Sequence, residues 1–164
     1  MRTIDGQDAA IVTILQENAR TSNAEIARQV GMAPSAVFER IRKLEERGVL
    51  KGFHAQLDPH AVGLPLLAFV FVRSNERAGG VSTAEKIARI PEVLEVHHVA
   101  GEDCFLVKLR AADPEDLGRL LREKVGTIPA VTSTRTTIVL ETVKEESALP
   151  LESGEESAPE IRRA

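Results

Sequence analysis

The sequence predicts an α+β chain in two parts, a helical half followed by a half ordered βαββαβ. Three observations carry this. Up to about residue 60, apolar residues recur at helical spacing behind capping residues; beyond residue 65, short apolar runs alternate with two helix-patterned segments; and residues 57–65, LDPHAVGLP, concentrate Pro and Gly between the two halves. The expected organisation is a helical domain over 1–60, a βαββαβ domain over 61–143 and a tail over 144–164.

Three helices account for the first half. Asp5 can cap a first helix whose positions Ile11, Ile14 and Leu15 face a core. Ser22 and Glu25 form an S-x-x-E capping box that opens a short second helix through Ile26, Ala27 and Val30, closed by Gly31. After a turn of about three residues, Pro34 takes the first position of a third helix, where its missing N–H costs nothing, and Gly48 ends that helix just beyond Arg47.

Composition and charge bound what the chain does. It has 164 residues, 43% of them hydrophobic, which suffices for a genuine core. The start carries no apolar signal segment, and the longest apolar stretch, residues 64–72, is about half the length of a membrane span. The expected location is the cytoplasm, away from any membrane. A lone cysteine, Cys104, leaves no disulfide framework and no multi-cysteine metal site. The net charge of −4 looks wrong for a partner of nucleic acid, but it is unevenly placed. Residues 1–62 are balanced with eight basic and eight acidic side chains, whereas residues 144–164 hold three basic and six acidic. That tail, rich in Glu, Ser and Pro, is expected to be disordered because it cannot bury enough apolar surface to offset the entropy of ordering.

At 100° per residue, Val37, Ile41 and Leu44 of the third helix share one face, and Ser35, Glu39 and Arg42 lie opposite. Phe38 flanks the outward face, Lys43 its other edge, and Arg40 lies nearer the core boundary. A charged helix face is usually only a solvated one, but here order adds meaning: a capped short helix, a glycine turn and a longer helix with a basic outer face form a helix-turn-helix. Residues 33–52 carry five basic and three acidic side chains, so the positive charge is local. A major groove admits such a helix, with N-terminal residues at base edges and Arg and Lys at phosphates. Pro34, Ser35, Phe38, Glu39, Arg40, Arg42 and Lys43 are the expected contacts with double-stranded DNA.

Residues 4–63, from IDGQDAAIVTILQENARTSNAEIARQVG through MAPSAVFERIRKLEERGVLKGFHAQLDPHAVG, resemble the leucine-responsive regulator (Lrp/AsnC) family of transcription factors in one ungapped register. Asp5, Asp8, Arg20, Glu25, Ala27, Arg40, Leu44, Glu45 and Gly48 fall where that pattern places them. One departure is Ala33, where family members usually carry Ser; the third helix thereby lacks a side-chain cap worth about 1 kcal/mol. The resemblance implies a winged helix-turn-helix, sequence-specific DNA binding and no enzymatic activity.

The second half carries an internal echo of 38 residues: Ile90-Pro91-Glu92-Val93 recurs as Ile128-Pro129-Ala130-Val131. Two βαβ units interleave into a ferredoxin-like fold. Its helices cover one sheet face only, yet residues 66–72 are apolar on both, so the open face needs a partner. In family terms this half resembles the ligand-sensing RAM (ACT-like) domain, which implies a homodimer through face-to-face sheets, further assembly into an octamer as a tetramer of dimers, and an amino-acid effector bound near a glycine loop between the central strands. The matching loop is Ala100-Gly101-Glu102-Asp103-Cys104, where many members have Asp in place of Cys104. His98, Ala100, Gly101, Glu102 and Asp103, with Thr134 and Thr136 of the last strand, are the expected effector contacts.

For the loop residues alone a tight hairpin is equally open, with Gly101 supplying positive φ, and alternating Thr also suits a half-exposed strand. Catalysis finds little support. His97 and His98 are adjacent on a strand, point to opposite faces and cannot share one metal ion; Cys104 has no positioned third group. An amino-acid-sensing oligomer without DNA binding is the alternative function. No cofactor beyond the effector is expected.

Overall fold

The computed structural model describes residues 4–77, 80–101 and 103–151. They form two units, one of residues up to 55 together with the segment from 145, the other spanning Gln56–Lys144. In the first unit, helices α1 (Gly6–Glu17), α2 (Asn23–Val30) and α3 (Pro34–Glu46) follow the sequence pattern. Asp5 caps α1 by accepting from the Asp8 N–H at 2.7 Å, and Ser22 caps α2 by accepting from Glu25 at 3.2 Å. Gly31 closes α2 in the left-handed conformation, φ 69°, which sets the tight turn into α3. Pro34 opens α3, and Ala33 provides no side-chain cap, as its methyl group must. Ile11, Leu15, Ile26, Ala27 and Val37 form a closed core, with Ile14, Val30, Met32, Ile41 and Leu50 packed around it.

The wing is where structure and expectation part. Residues 51–65 form no strand. A lone strand has nothing to bond to, and a strand after α3 needs a pairing partner that this unit does not supply.

The second unit is a four-stranded sheet of β1 (Leu66–Ser74), β2 (Val93–His98), β3 (Phe105–Ala111) and β4 (Val131–Ile138) in the order β2-β3-β1-β4, every neighbouring pair antiparallel. Helix α4 (Ser82–Ile87) joins β1 to β2, and α5 (Pro114–Leu120) runs on through a π-turn, Leu121–Val125, before β4. This is the expected βαββαβ, and three local features shape it. Helix α4 stops before Ile90, since Pro91 disfavours helical backbone at the residue ahead of it. The end of the helix after β3 loosens because the Gly126 N–H reaches five residues back to the Leu121 carbonyl, 2.8 Å away. Strand β4 ends at Ile138, because its last bond, Val139 N–H to Leu67 O, already lies at the start of β1.

Register fixes the two faces. Ala68, Val70 and Val72 stand opposite Leu109, Val107 and Phe105 and share a core with Ile87, Leu117, Leu120 and Val125. Phe69 and Phe71, opposite Lys108 and Leu106, lie on the other face. No helix among the described residues is long and apolar enough to cross a membrane.

Of the tail, residues 152–164 lie outside the described residues. Leu149 has a contact that composition does not announce: its N–H donates to Gln16 Oε1 at 2.7 Å, and its carbonyl accepts from Gln16 Nε2 at 3.0 Å.

Burial ranks two of the apolar residues of α3, Leu44 and Ile41, differently. Leu44 is fully enclosed and Ile41 only partly. Leu44→Ala is expected to destabilise the helical unit by about 2–5 kcal/mol, and Ile41→Ala by less. Urea denaturation of the full chain, followed by circular dichroism, measures both.

Candidate nucleic-acid interface and effector loop

Two ion-pair systems set the geometry of α3. On its inner side Arg40 Nη1 donates to Asp5 Oδ2 at 2.8 Å and to Asp8 Oδ1 at 2.7 Å. Asp8 is 5% exposed and Arg47 approaches its other oxygen at 3.8 Å, so a carboxylate removed from water finds two cations there. The Asp5 carboxyl is held below its usual range first by the Asp8 backbone N–H and then by Arg40. Arg40 therefore ties the third helix to the first. The sequence places it among the DNA contacts; its guanidinium is instead occupied against α1.

On the outer side Ser35, Glu39, Arg42 and Glu46 lie along one stripe. Arg42 bridges the carboxylates, bonding Glu39 Oε2 at 2.8 Å and Glu46 Oε1 at 2.5 Å. These partners, Glu39 foremost, raise the guanidinium pKa. Phe38 stands beside the stripe with 54% of its surface exposed, and Pro34, Ser35, Glu39, Arg42 and Lys43 are all exposed. Thus the outward face combines a hydroxyl at the helix start, an exposed aromatic ring, paired charges and a lysine in the last turn. Helix α2 has a similar exposed pair, in which Arg28 holds the Glu25 pKa down to about 2.

In the sheet unit the β2–β3 loop presents Ala100 and Gly101 to solvent; Glu102 lies outside the described residues. Gly101 has φ +132°, a backbone that strains any side chain, and a Cβ there would meet nothing within 4 Å. The space beside it is open. Asp103 accepts from Arg135 Nη2 at 3.0 Å and lies 4.0 Å from Arg73. Arg135 also stacks over the Phe71 ring, 4.0 Å from its centroid.

Register then separates the predicted contacts. Thr134 and Thr136 stand opposite Val72 and Val70, on the helix-covered side, while Arg135 between them stands opposite Phe71 on the open side. His98 shares the helix side with Phe105, ring centroids 5.2 Å apart, whereas His97 pairs with Glu95 at 3.1 Å on the open face. The two histidines do diverge, and no cluster of potential metal ligands occurs among the described residues. Sequence reasoning missed Arg135 and Phe71. The alternation it used for the threonines, combined with the β1–β4 register, is the signal that would have found them.

A helix-turn-helix unit joined to a ferredoxin-like sheet unit defines a class of ligand-responsive transcriptional regulators. Two family models match, the AsnC-type helix-turn-helix domain over residues 4–45 and the Lrp/AsnC ligand binding domain over residues 67–149. The chain is 41% identical over 149 residues to the HTH-type transcriptional regulator FL11 of Pyrococcus horikoshii, covering 90% of this chain and 97% of that protein. It is 35% identical over 156 residues to the leucine-responsive regulatory protein of Escherichia coli, covering 93% and 94%. Among solved structures, Escherichia coli AsnC superposes with a TM-score of 0.83 at 28% identity, over 91% of this chain and 100% of that one. An L-Met complex of a transcriptional regulator from Neisseria meningitidis gives 0.81 at 29% identity, over 92% and 98%. The chain belongs to the Lrp/AsnC family: it is a helix-turn-helix transcriptional regulator with an amino-acid-binding domain, not an enzyme.

The Arg40 clamp has a measurable cost when broken. Asp8→Ala removes a charge-assisted bond from a site out of water while Asp5 still holds Arg40, so a loss of about 1–3 kcal/mol is expected. Because the Asp5 pKa is lowered on folding, its contribution is complete above the unfolded value of 3.8 and fades as pH falls through the lower folded value. Urea denaturation at pH 7 and at decreasing pH below 4 measures both effects.

Proposed function

We propose that the chain binds double-stranded DNA through the outward face of α3, as a homodimer whose affinity for its operator is set by an amino acid bound at the β2–β3 loop. The observation that carries the DNA contact is the stripe itself: Val37 and Leu44 are fully buried while Ser35, Phe38, Glu39, Arg42 and Lys43 stand in solvent. Pro34 and Ser35 sit at the helix start, where Pro34 has no N–H and the Ala36 and Val37 N–H groups bond the Ala33 carbonyl, so the Ser35 N–H is the one suited to a phosphate. Phe38 offers an apolar contact of the kind a thymine methyl accepts, and Lys43 a phosphate contact. Arg40 is a positioning residue in this reading.

The open sheet face supports the dimer. Phe69, Phe71 and Leu106 give it apolar centre, and Lys108, Glu95 and Arg135 give it a charged surround. Two copies meeting there would present two α3 helices to successive major grooves, with half-sites about one turn of DNA apart or a multiple of it. Further assembly into an octamer, a tetramer of dimers, and a cytoplasmic location complete the proposal.

For the effector, the Arg135–Asp103 pair is suited to a zwitterion. An α-amino group can take Asp103 and an α-carboxylate Arg135, exchanging one internal ion pair for two with the ligand. The methionine bound by the Neisseria relative and the leucine in the Escherichia coli relative's name favour an apolar amino acid.

Three measurements test these readings. In a mobility-shift titration with a duplex selected from a random pool, the wild type is expected to retard DNA and Arg42→Ala with Ser35→Ala to weaken retardation without unfolding; wild-type affinity in both variants contradicts the assigned face, and no retardation by the wild type favours a sensing module without DNA binding. Sedimentation at micromolar concentration should give a dimer or larger, and a stable monomer contradicts the sheet interface. A thermal-shift screen of the twenty amino acids should find a stabilising one. Gly101→Val and Asp103→Ala should then abolish its effect on DNA binding, with effector-free operator affinity within about threefold. If both respond as wild type does, the pocket lies elsewhere.

A further inference from the structure

Around Arg42 the outward stripe of α3 is not a phosphate clamp, unlike its start at Ser35 and its edge at Lys43. Its centre is acidic on balance: Arg42 stands between Glu39 and Glu46, and one guanidinium faces two carboxylates. Phosphates approaching that point meet net negative charge, which a purely electrostatic DNA contact would avoid. A base edge is different, because the major groove presents both donors and acceptors.

From this arrangement we infer that Glu39 and Arg42 act together as a specificity-determining pair that reads a C·G base pair. The inference rests on the DNA-binding reading above. In the groove a carboxylate can only accept, and the donors there are the cytosine N4 and adenine N6 amino groups. Adenine sets its N7 acceptor beside N6, and that lone pair repels a carboxylate, so cytosine N4 is the better partner. A guanidinium can only donate, and guanine offers two acceptors, O6 and N7, side by side. Glu39 and Arg42 are already 2.8 Å apart, so the pair can span the two edges of one C·G pair or of adjacent pairs without being separated. Their mutual bond also orients both groups before DNA arrives. Glu46, a turn further along, holds Arg42 from the far side and keeps the guanidinium along the helix axis. The pairing penalises the wrong sequence as well, since thymine opposite Glu39 sets a carbonyl against a carboxylate.

The experiment is selection of binding sites from a random duplex pool, followed by titration of single-base variants of the selected site, for the wild type, Glu39→Gln and Arg42→Lys. Glu39 is exposed and glutamine is nearly isosteric, so folding is preserved. The wild type should select C·G at one position in each half-site and lose about tenfold or more in affinity when that pair is changed. Glu39→Gln should move the preference at that position toward A·T, since an amide pairs with adenine N6 and N7. Arg42→Lys should lower discrimination at the guanine without altering the number of counterions released, read from the salt dependence of binding. The inference is overturned if Glu39→Gln selects the same base as the wild type, or if Arg42→Lys and Arg42→Ala weaken all sequences equally with Arg42→Ala reducing the salt slope by about one, the mark of a phosphate contact. A wild type that retards no duplex overturns the underlying DNA-binding reading instead.

Discussion

A single guanidinium sets up the helical unit. Arg40 reaches from the third helix to the first turn of α1 and satisfies Asp8, whose carboxylate is almost out of water, as well as Asp5, the cap of that helix. An ionised carboxylate in that position without a cation would be costly, so the bond cannot be given up cheaply. It fixes the rotation of α3 about its own axis. Once Arg40 faces α1 and Val37 and Leu44 face the core, helix geometry leaves Ser35, Glu39 and Arg42 no direction but outward. Which residues make up the outward stripe thus follows from a structural ion pair on the opposite side.

The sheet unit works by a comparable division. Alternation along β1 and β3 puts Val70, Val72, Val107 and Phe105 under the helices of this unit and leaves Phe69, Phe71 and Leu106 on the opposite face, away from its described helices. Arg135 connects that open face to the β2–β3 loop, because it covers Phe71 and bonds Asp103 at once. A ligand that engaged Asp103 would therefore disturb a side chain lying on the proposed dimer surface. This gives a physical route from effector to assembly, since any change in the Arg135 position alters what the partner sheet meets.

Much of this was legible in the sequence, and the reasons are specific. Caps and punctuation are local chemistry: Asp5, Ser22, Gly31 and Pro34 each do what their side chains dictate, whatever the tertiary context. The strands announced themselves through apolar runs, and the 38-residue echo disclosed the interleaved topology. What stayed hidden depends on pairing between distant residues. Arg40 reads as one more basic residue of a basic helix until Asp8, 32 residues away, is seen beside it. Thr134 and Thr136 face the helices and Arg135 faces the loop only because β4 pairs with β1 in one register rather than its neighbour. The missing wing strand has the same origin, since pairing partners decide whether an extended segment becomes a strand.

The central claim, that α3 enters DNA by its outward face, is tested most directly by photo-crosslinking. Replacing Phe38 with a benzoyl-phenylalanine photo-crosslinker, and in a separate variant Leu94, places the same probe at positions 54% and 52% exposed, one beside the stripe and one on β2. Irradiated with a duplex selected from a random pool, the Phe38 variant is predicted to give a covalent protein–DNA adduct and the Leu94 variant none. Equal adduct yield at both positions, or adduct at Leu94 alone, would contradict the account.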